Sequence, residues 1–314
     1  MALTAMLAKD SADLQAQAAL EFSSGGYQYE IKIKAGESSY SVTDGTNTFK
    51  TSLVWAFGSG PVGQTYLFER VNGEIFEARV SYFDALQGLD FTPMLVVNSA
   101  GDLESAAARF VGPEERVRCF SCHATGSTIA GRFDERPVAL GVSCEACHGP
   151  GRRHADTMRM ARMEGIEEVP EKGIYNPAEL GPADAMDFCG ACHGAMWDVV
   201  LTEPKGTKTV RFEPYRLQDS KCWGKDGDAR LICTACHDPH KALERNAEGY
   251  DGACLRCHPS SKEEERVTKL PGKVCPVGKS KCVGCHMANV YIPEMHHSFH
   301  DHKIRILRVA STRH

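Results

Sequence analysis

Between Cys119 and His286 the chain repeats Cys-x-x-Cys-His six times, as Cys119/Cys122/His123, Cys144/Cys147/His148, Cys189/Cys192/His193, Cys233/Cys236/His237, Cys254/Cys257/His258 and Cys282/Cys285/His286. Two thiols three positions apart can each form a thioether to one porphyrin edge. The imidazole of the next residue then lies under the iron as an axial ligand. The chemistry implied is covalent attachment of six c-type haems. Cys-x-x-Cys also builds zinc ribbons and thiol redox pairs. A zinc ribbon, however, needs a second Cys or His pair for each metal and has no use for a His after every pair. All six pairs here carry one, and together they use twelve of the 14 cysteines.

Each such iron has a second axial position. Of 13 histidines, seven lie outside the motifs: His154, His240, His296, His297, His300, His302 and His314. Neutral imidazole is the common strong ligand for that position, so these seven are the candidate distal set. None precedes the first motif, so its haem must be capped from later in the chain. His154, in CHGPGRRH, and His240, in CHDPH, are the leading candidates. The segment EMHHSFHDHKIR packs four histidines into seven residues. Adjacent side chains of an extended segment point to opposite faces, so His296 and His297 can serve different haems, while crowding leaves one or two of the four as outer residues. With two idle, one haem is open, Met-ligated or capped by a His of a neighbouring chain. Met158, Met160, Met163, Met186, Met196, Met287 and Met295 are the alternative ligands, and packing is the preferred reading for them.

Cysteine and histidine are absent from residues 1–118, and composition shifts near residue 101. The expected organisation is α+β: an N-terminal helix plus a small antiparallel β domain over 1–100, then a mostly irregular, short-helical haem domain over 101–314. Residues 2–22, rich in Ala, Leu and Gln, read as a helix stopped by Ser23-Ser24-Gly25-Gly26. The runs YQYEIKIK, SSYSV, NTFKTSLVWAF, QTYLFER and EIFEARVSYF, parted by turn residues, read as five strands of one meander. Helix is expected at Leu103–Arg109, His154–Glu164, Ala183–Met196 and Lys262–Leu270. Successive motifs start 25, 45, 44, 21 and 28 residues apart, which is no solenoid period. Each haem thus has only a few dozen residues of its own, and the macrocycles are expected to supply much of the apolar core.

A net charge of −5 over 314 residues, before any haem propionates, points away from nucleic acid and anionic membranes as partners. No apolar run reaches the length of a membrane span. Haem attachment of this type takes place outside the bacterial cytoplasm, so a periplasmic or extracellular location is expected. The opening MALTAMLAKDSADLQ has no basic stretch and only a short apolar run, so it reads as a mature or incomplete start and not as a signal peptide. The export expectation therefore rests on the haem chemistry.

The chain resembles the cytochrome c554 and related multihaem cytochrome c families. The resemblance is carried by CEACHGPGRRH, CTACHDPH, and CVGCHMANV followed by HHSFHDHKIR, over roughly residues 115–308. Relatives typically show CHGPG with a nearby His, CHDPH, and CHMP followed by a His and a DHRI-like tail. The resemblance implies distal ligand roles for His154, His240, His296 and His302. GQTYLFERVNGEIFEARVSYFDALQGLDFTP is similar to a β-rich region that precedes the haems in some members, and transfers no function. There are departures: Ala288 stands where CHMP has Pro, and His297 and His300 are additions. No Cys-x-x-Cys-Lys occurs, so the lysine-ligated haem of the pentahaem nitrite reductases has no counterpart. Tyr291, near the last motif, reads as a packing residue. Cys222 and Cys275 remain over, and relatives carry cysteines at these places. In an oxidising compartment they are expected to form one disulfide, which would stabilise by roughly 3–4 kcal/mol.

Electron transfer is the leading expectation, because an iron with two strong axial ligands changes oxidation state with little rearrangement. Redox proteins or an extracellular acceptor would be the partners. The alternative is a periplasmic oxidoreductase acting on a small nitrogen or sulfur compound at a five-coordinate haem. A homo-oligomer, or an extracellular filament paired through strand edges of the β domain, is a further arrangement the sequence allows.

Overall fold

Two-residue alternation governs the first third of the chain, and that third folds as antiparallel sheet. The computed structural model describes residues 5–17, 19–58, 61–93, 101–129, 132–133, 139–169, 173–202, 209–224, 227–267 and 272–307. These form two compact units. One holds the described residues up to 175 together with 293–297, and the other those of 176–292 and from 298 onward. His314 lies outside the described residues.

In the β-rich unit, strands β1 (Ala5–Leu7), β2 (Ala19–Ser24), β3 (Tyr27–Lys34), β4 (Glu37–Thr43), β5 (Thr48–Ser52), β6 (Trp55–Phe57), β7 (Gly63–Glu69), β8 (Ile75–Phe83), β9 (Gly88–Phe91) and β10 (Ala108–Val111) make two sheets. One sheet runs β2-β3-β4-β5. The other runs β1-β6-β7-β8-β10, with β9 also on β8. The strand runs read from sequence are therefore present, but the single meander is not. The run NTFKTSLVWAF breaks at Leu53–Val54, so β5 and β6 belong to different sheets. The helix expected over 2–22 is also corrected. Only α1 (Ala12–Gln15) is α-helical among the described residues there, with Ser11 Oγ accepting from Leu14 N, and 19–24 is strand. Leu20 and Phe22 turn inward while Ala19, Glu21 and Ser23 face out. Gly25 and Gly26, at φ 61° and 86°, supply the two left-handed residues that a tight hairpin between β2 and β3 requires. Sheet pairing overrides the weak helix propensity of this segment.

The two sheets share one interior of Leu20, Tyr29, Ile31, Tyr40, Val42, Tyr66, Phe68, Val80 and Tyr82. Tyr40 Oη donates to Ala107 O at 2.7 Å and so fastens α2 (Leu103–Ala107) to this interior. A second cluster, with Trp55, Leu67, Ile75, Val111 and Phe120, extends to α3 (Pro113–His123). After it come α4 (Cys144–His148) and α5 (Arg152–Glu164).

The other unit is built from short helices: α6 (Pro182–His193), α7 (Met196–Thr202), α8 (Glu213–Gln218), α9 (Asp251–Leu255), α10 (Lys262–Val267) and α11 (Cys282–His286). Its one buried apolar cluster among the described residues is small, namely Met186, Leu217 and Trp223 with a few half-buried neighbours. Among the described residues no helix is long and apolar enough to cross a membrane.

Candidate functional site

Each Cys-x-x-Cys-His folds as a helical turn that ends on its histidine. Three motifs lie wholly or terminally in α3, α4 and α6, and one is α11 itself. The other two close the same turn through their backbones, with His237 N donating to Cys233 O at 3.0 Å and His258 N to Cys254 O at 3.0 Å. Residues i, i+3 and i+4 share one face of a helix, so the turn sets Sγ, Sγ and imidazole side by side. Pro113 and Pro182, at the first positions of α3 and α6, pre-form the helices that deliver Cys119 and Cys189.

The motif imidazoles are oriented by partners absent from the motif. His148 Nδ1 meets Tyr175 O at 2.9 Å, His258 Nδ1 meets Lys273 O at 3.1 Å, and His286 Nδ1 meets Arg305 O at 3.2 Å. His237 Nδ1 faces the Tyr250 hydroxyl at 3.4 Å, and His193 Nδ1 lies 3.7 Å from Glu213 Oε2. The His123 ring packs edge-on against Phe57 at 5.1 Å. An acceptor at Nδ1 selects the tautomer whose Nε2 carries the lone pair, which is the state a metal-ligating histidine needs. Gly272 permits one of these arrangements, since a Cβ there would stand 2.3 Å from His258 Nδ1. Nothing in the motif spacing announces Glu213, Tyr250, Gly272 or the three carbonyls.

Four motifs sit in the helical unit. Cys189 and Cys233 share a side-chain hydrogen bond, Cys236 lies within electrostatic reach of Cys257, and Cys254 and Cys282 share a second hydrogen bond. Within the first pair, the bond to Cys189 and then burial hold the Cys233 thiol above the usual range, while the same bond lowers the Cys189 thiol. Burial, helped by Asp251, pushes Cys282 up to about 12. Asp251 opens α9, yet its carboxylate accepts from Lys281 N at 2.7 Å and Cys282 N at 2.9 Å. The helix of the fifth motif thereby caps that of the sixth, and the two donors hold the Asp251 carboxyl below its ordinary range. The remaining two motifs, at Cys119/Cys122/His123 and Cys144/Cys147/His148, sit in the β-rich unit.

Among the candidate distal histidines, His302 has its ring opposite that of the motif residue His237, with centroids 6.2 Å apart. Its Nδ1 is held by His300 O at 3.1 Å. His300 Nδ1 faces Met287 O at 3.3 Å. His296 has a left-handed backbone (φ 47°), packs edge-on against Phe83 at 4.8 Å, and presents Nε2 to Asp90 Oδ2 at 2.8 Å. His154 is half-buried on α5, His297 is half-buried in a strand of 297–300, and His240 is exposed with Nδ1 3.6 Å from Asp238 Oδ1. Met186 is fully buried beside Cys233 Sγ at 3.8 Å, in agreement with a packing role. Tyr291 is 56% exposed.

The expected disulfide is also corrected, because Cys222 and Cys275 carry free thiols. Cys275 Sγ is turned to the backbone N–H groups of Val277 and Gly278, which hold its pKa below the usual thiol range. Among the described residues no three His, Cys, Asp or Glu side chains gather as a metal-holding cluster of the kind a zinc ribbon requires.

Two comparisons say what the chain is similar to. A family model described as cytochrome c554 and c-prime matches residues 94–149, which contain the first two motifs. A curated relative is Cytochrome c-554 of Nitrosomonas europaea, 28% identical over 144 aligned positions that cover 42% of this chain and 56% of that protein. The chain thus spans about half the length of the curated relative it matches. No solved structure matches.

Proposed function

We propose that this chain is an electron carrier that binds six haem c groups and holds most of their irons between two histidines. The observation that carries this reading is the shared turn. In all six motifs the backbone closes a helical turn from the first cysteine to the histidine, which sets i, i+3 and i+4 on one side, and four of the six imidazoles have an oxygen within 3.4 Å of Nδ1, with Glu213 Oε2 3.7 Å from that of His193. The residues therefore fit haem c. Cys119, Cys122, Cys144, Cys147, Cys189, Cys192, Cys233, Cys236, Cys254, Cys257, Cys282 and Cys285 would form the thioethers, and His123, His148, His193, His237, His258 and His286 would ligate iron through Nε2. When bound, haem supplies a one-electron couple whose potential is set by axial ligand, burial and hydrogen bonds.

The chain's own contribution is position. Four attachment sites lie in one unit, with Cys189 beside Cys233 and Cys254 beside Cys282. Met196, Trp197, Val200 and Leu201 offer apolar surface in this unit that a porphyrin face suits. The fold class that accompanies this reading is α+β, with the haem sites mostly on short helices, and export to the periplasm or beyond follows from the attachment chemistry. The reading holds for a lone chain and for a filament alike, and electron microscopy of the purified holoprotein separates the two.

Intact mass and the ferric spectrum test the proposal. Six haem additions to the polypeptide mass with a predominantly low-spin spectrum are expected. A bare polypeptide mass, or bound zinc in place of haem, overturns it.

A further inference from the structure

We infer that His237 and His302 are the two axial ligands of a single iron, that of the haem carried by Cys233 and Cys236. The inference rests on the haem reading above and goes beyond it by pairing one distal histidine with one motif.

Spacing is the first ground. A metal–imidazole bond of about 2 Å on each side, plus about 1 Å from each nitrogen to its ring centre, sets two imidazoles on opposite faces of one metal about 6 Å apart. The His237 and His302 centroids are 6.2 Å apart with a 39° angle between ring planes.

Orientation is the second ground. Both rings have their Nδ1 committed, His237 to the Tyr250 hydroxyl and His302 to His300 O, and Tyr250 is itself fixed by donating to Glu244 O at 2.8 Å. In each ring this leaves Nε2 as the ligating nitrogen.

The third ground is the rigidity of the backbone that carries His302. Asp301, 3% exposed at its side chain, receives both arms of Arg216 at 2.8 and 2.6 Å and Arg305 Nη1 at 2.7 Å. Ser220 Oγ donates to His302 O at 3.1 Å and accepts from Ile304 N at 2.8 Å. Residues on both sides of His302 are thus tied to α8 and the turn after it. A segment held so firmly can keep an imidazole on an iron without help from the ligand bond.

The test uses the full-length holoprotein. His302→Ala is expected to keep all six haems by mass and to convert one haem in six to the high-spin state. In a Cys233→Ser/Cys236→Ser background, where the fourth motif attaches no haem, the same substitution is expected to add no high-spin signal. A His302→Ala spectrum identical to wild type overturns the pairing, as does an equal high-spin gain in the double-serine background. Should the alanine variant fold poorly, His302→Met retains a ligand and is expected to raise one midpoint potential of the six, since Met/His ligation lies higher than bis-His. An unchanged set of potentials overturns the inference. A wild-type chain that carries no haem defeats the underlying reading instead, and its mass reports this separately.

Discussion

The β-rich unit and the four-motif unit solve the problem of an interior in different ways. The first buries Tyr29, Ile31, Tyr40, Val42, Tyr66 and Phe68 between two sheets, and each is at most 2% exposed. The second, comparable in length, gathers Met186, Leu217 and Trp223 and otherwise relies on short helices, capping carboxylates and ion pairs. So small an apolar cluster cannot offset the chain entropy of more than a hundred ordered residues. On the proposed haem reading, the second unit is organised around its attachment sites, and the polypeptide would act as scaffold for a prosthetic core.

The strongest way to break that comparison is to withhold the haem. With all twelve motif cysteines replaced by serine, limited proteolysis should cut throughout the four-motif unit while the strands of residues 19–91 stay protected. Equal protection of both units would show that the side chains of the second suffice, and the contrast would fall.

Single substitutions within each interior give the next largest effects. Phe68 is fully buried, stacks on Phe76 at 5.7 Å and meets Tyr40 and Phe49, so Phe68→Ala should cost about 3–5 kcal/mol in thermal or denaturant unfolding. Because the loss is confined to the sheets, the low-spin haem spectrum should not change. The counterpart in the other unit is Asp301. Burial alone would raise its pKa, but Arg216, the Lys303 N–H and Arg305 outweigh burial and hold it well below the carboxylate range. Asp301→Asn leaves two arginines facing a neutral amide and should cost roughly 3 kcal/mol, a typical loss when one partner of a buried pair is removed. Unlike Phe68→Ala, it should also weaken the low-spin signal on warming, because His302 is the next residue. A low-spin signal as robust as wild type would separate this ion-pair network from the haem sites.

The legibility of the chain follows the same division. Strands of the β-rich unit could be read because alternation and turn residues are local properties, as in 27–34 and 75–83. The strand state of residues 19–24 is not legible locally, because it depends on pairing with β3, which outweighs local propensity. The split of the strands into two sheets was likewise invisible, since Leu53–Val54 carries no turn signal. The six attachment motifs were legible because their chemistry needs residues at i, i+3 and i+4. Their Nδ1 partners were not, because Tyr175, Lys273 and Arg305 contribute only backbone carbonyls, which leave no trace in residue identity. For the distal histidines composition supplied the candidates, but only three-dimensional placement distinguishes His302, opposite His237, from His296, whose Nε2 is held by Asp90.

The smallest expected effect sharpens the comparison within the four-motif unit. His258 and His286 rest Nδ1 on backbone carbonyls, whereas His193 faces Glu213, whose Oε2 is closed off from solvent and has no hydrogen-bond partner among the described residues. A carboxylate 3.7 Å from Nδ1 places a negative charge beside the imidazole that a carbonyl does not, and that charge favours the oxidised iron. Glu213 also acts electrostatically on His237 and His302, so its charge reaches the neighbouring site as well. Glu213→Gln keeps the side-chain shape and removes the charge. If that charge contributes about 1 kcal/mol, the potential of the third-motif haem should rise by roughly 40 mV, since a tenfold one-electron change is 59 mV. A smaller rise is expected at the fourth motif and none at the fifth and sixth. Spectroelectrochemical titration of wild type and variant reads these shifts. A uniform shift of all six potentials, or a fall at the third, would mean that the carboxylate does not act through His193.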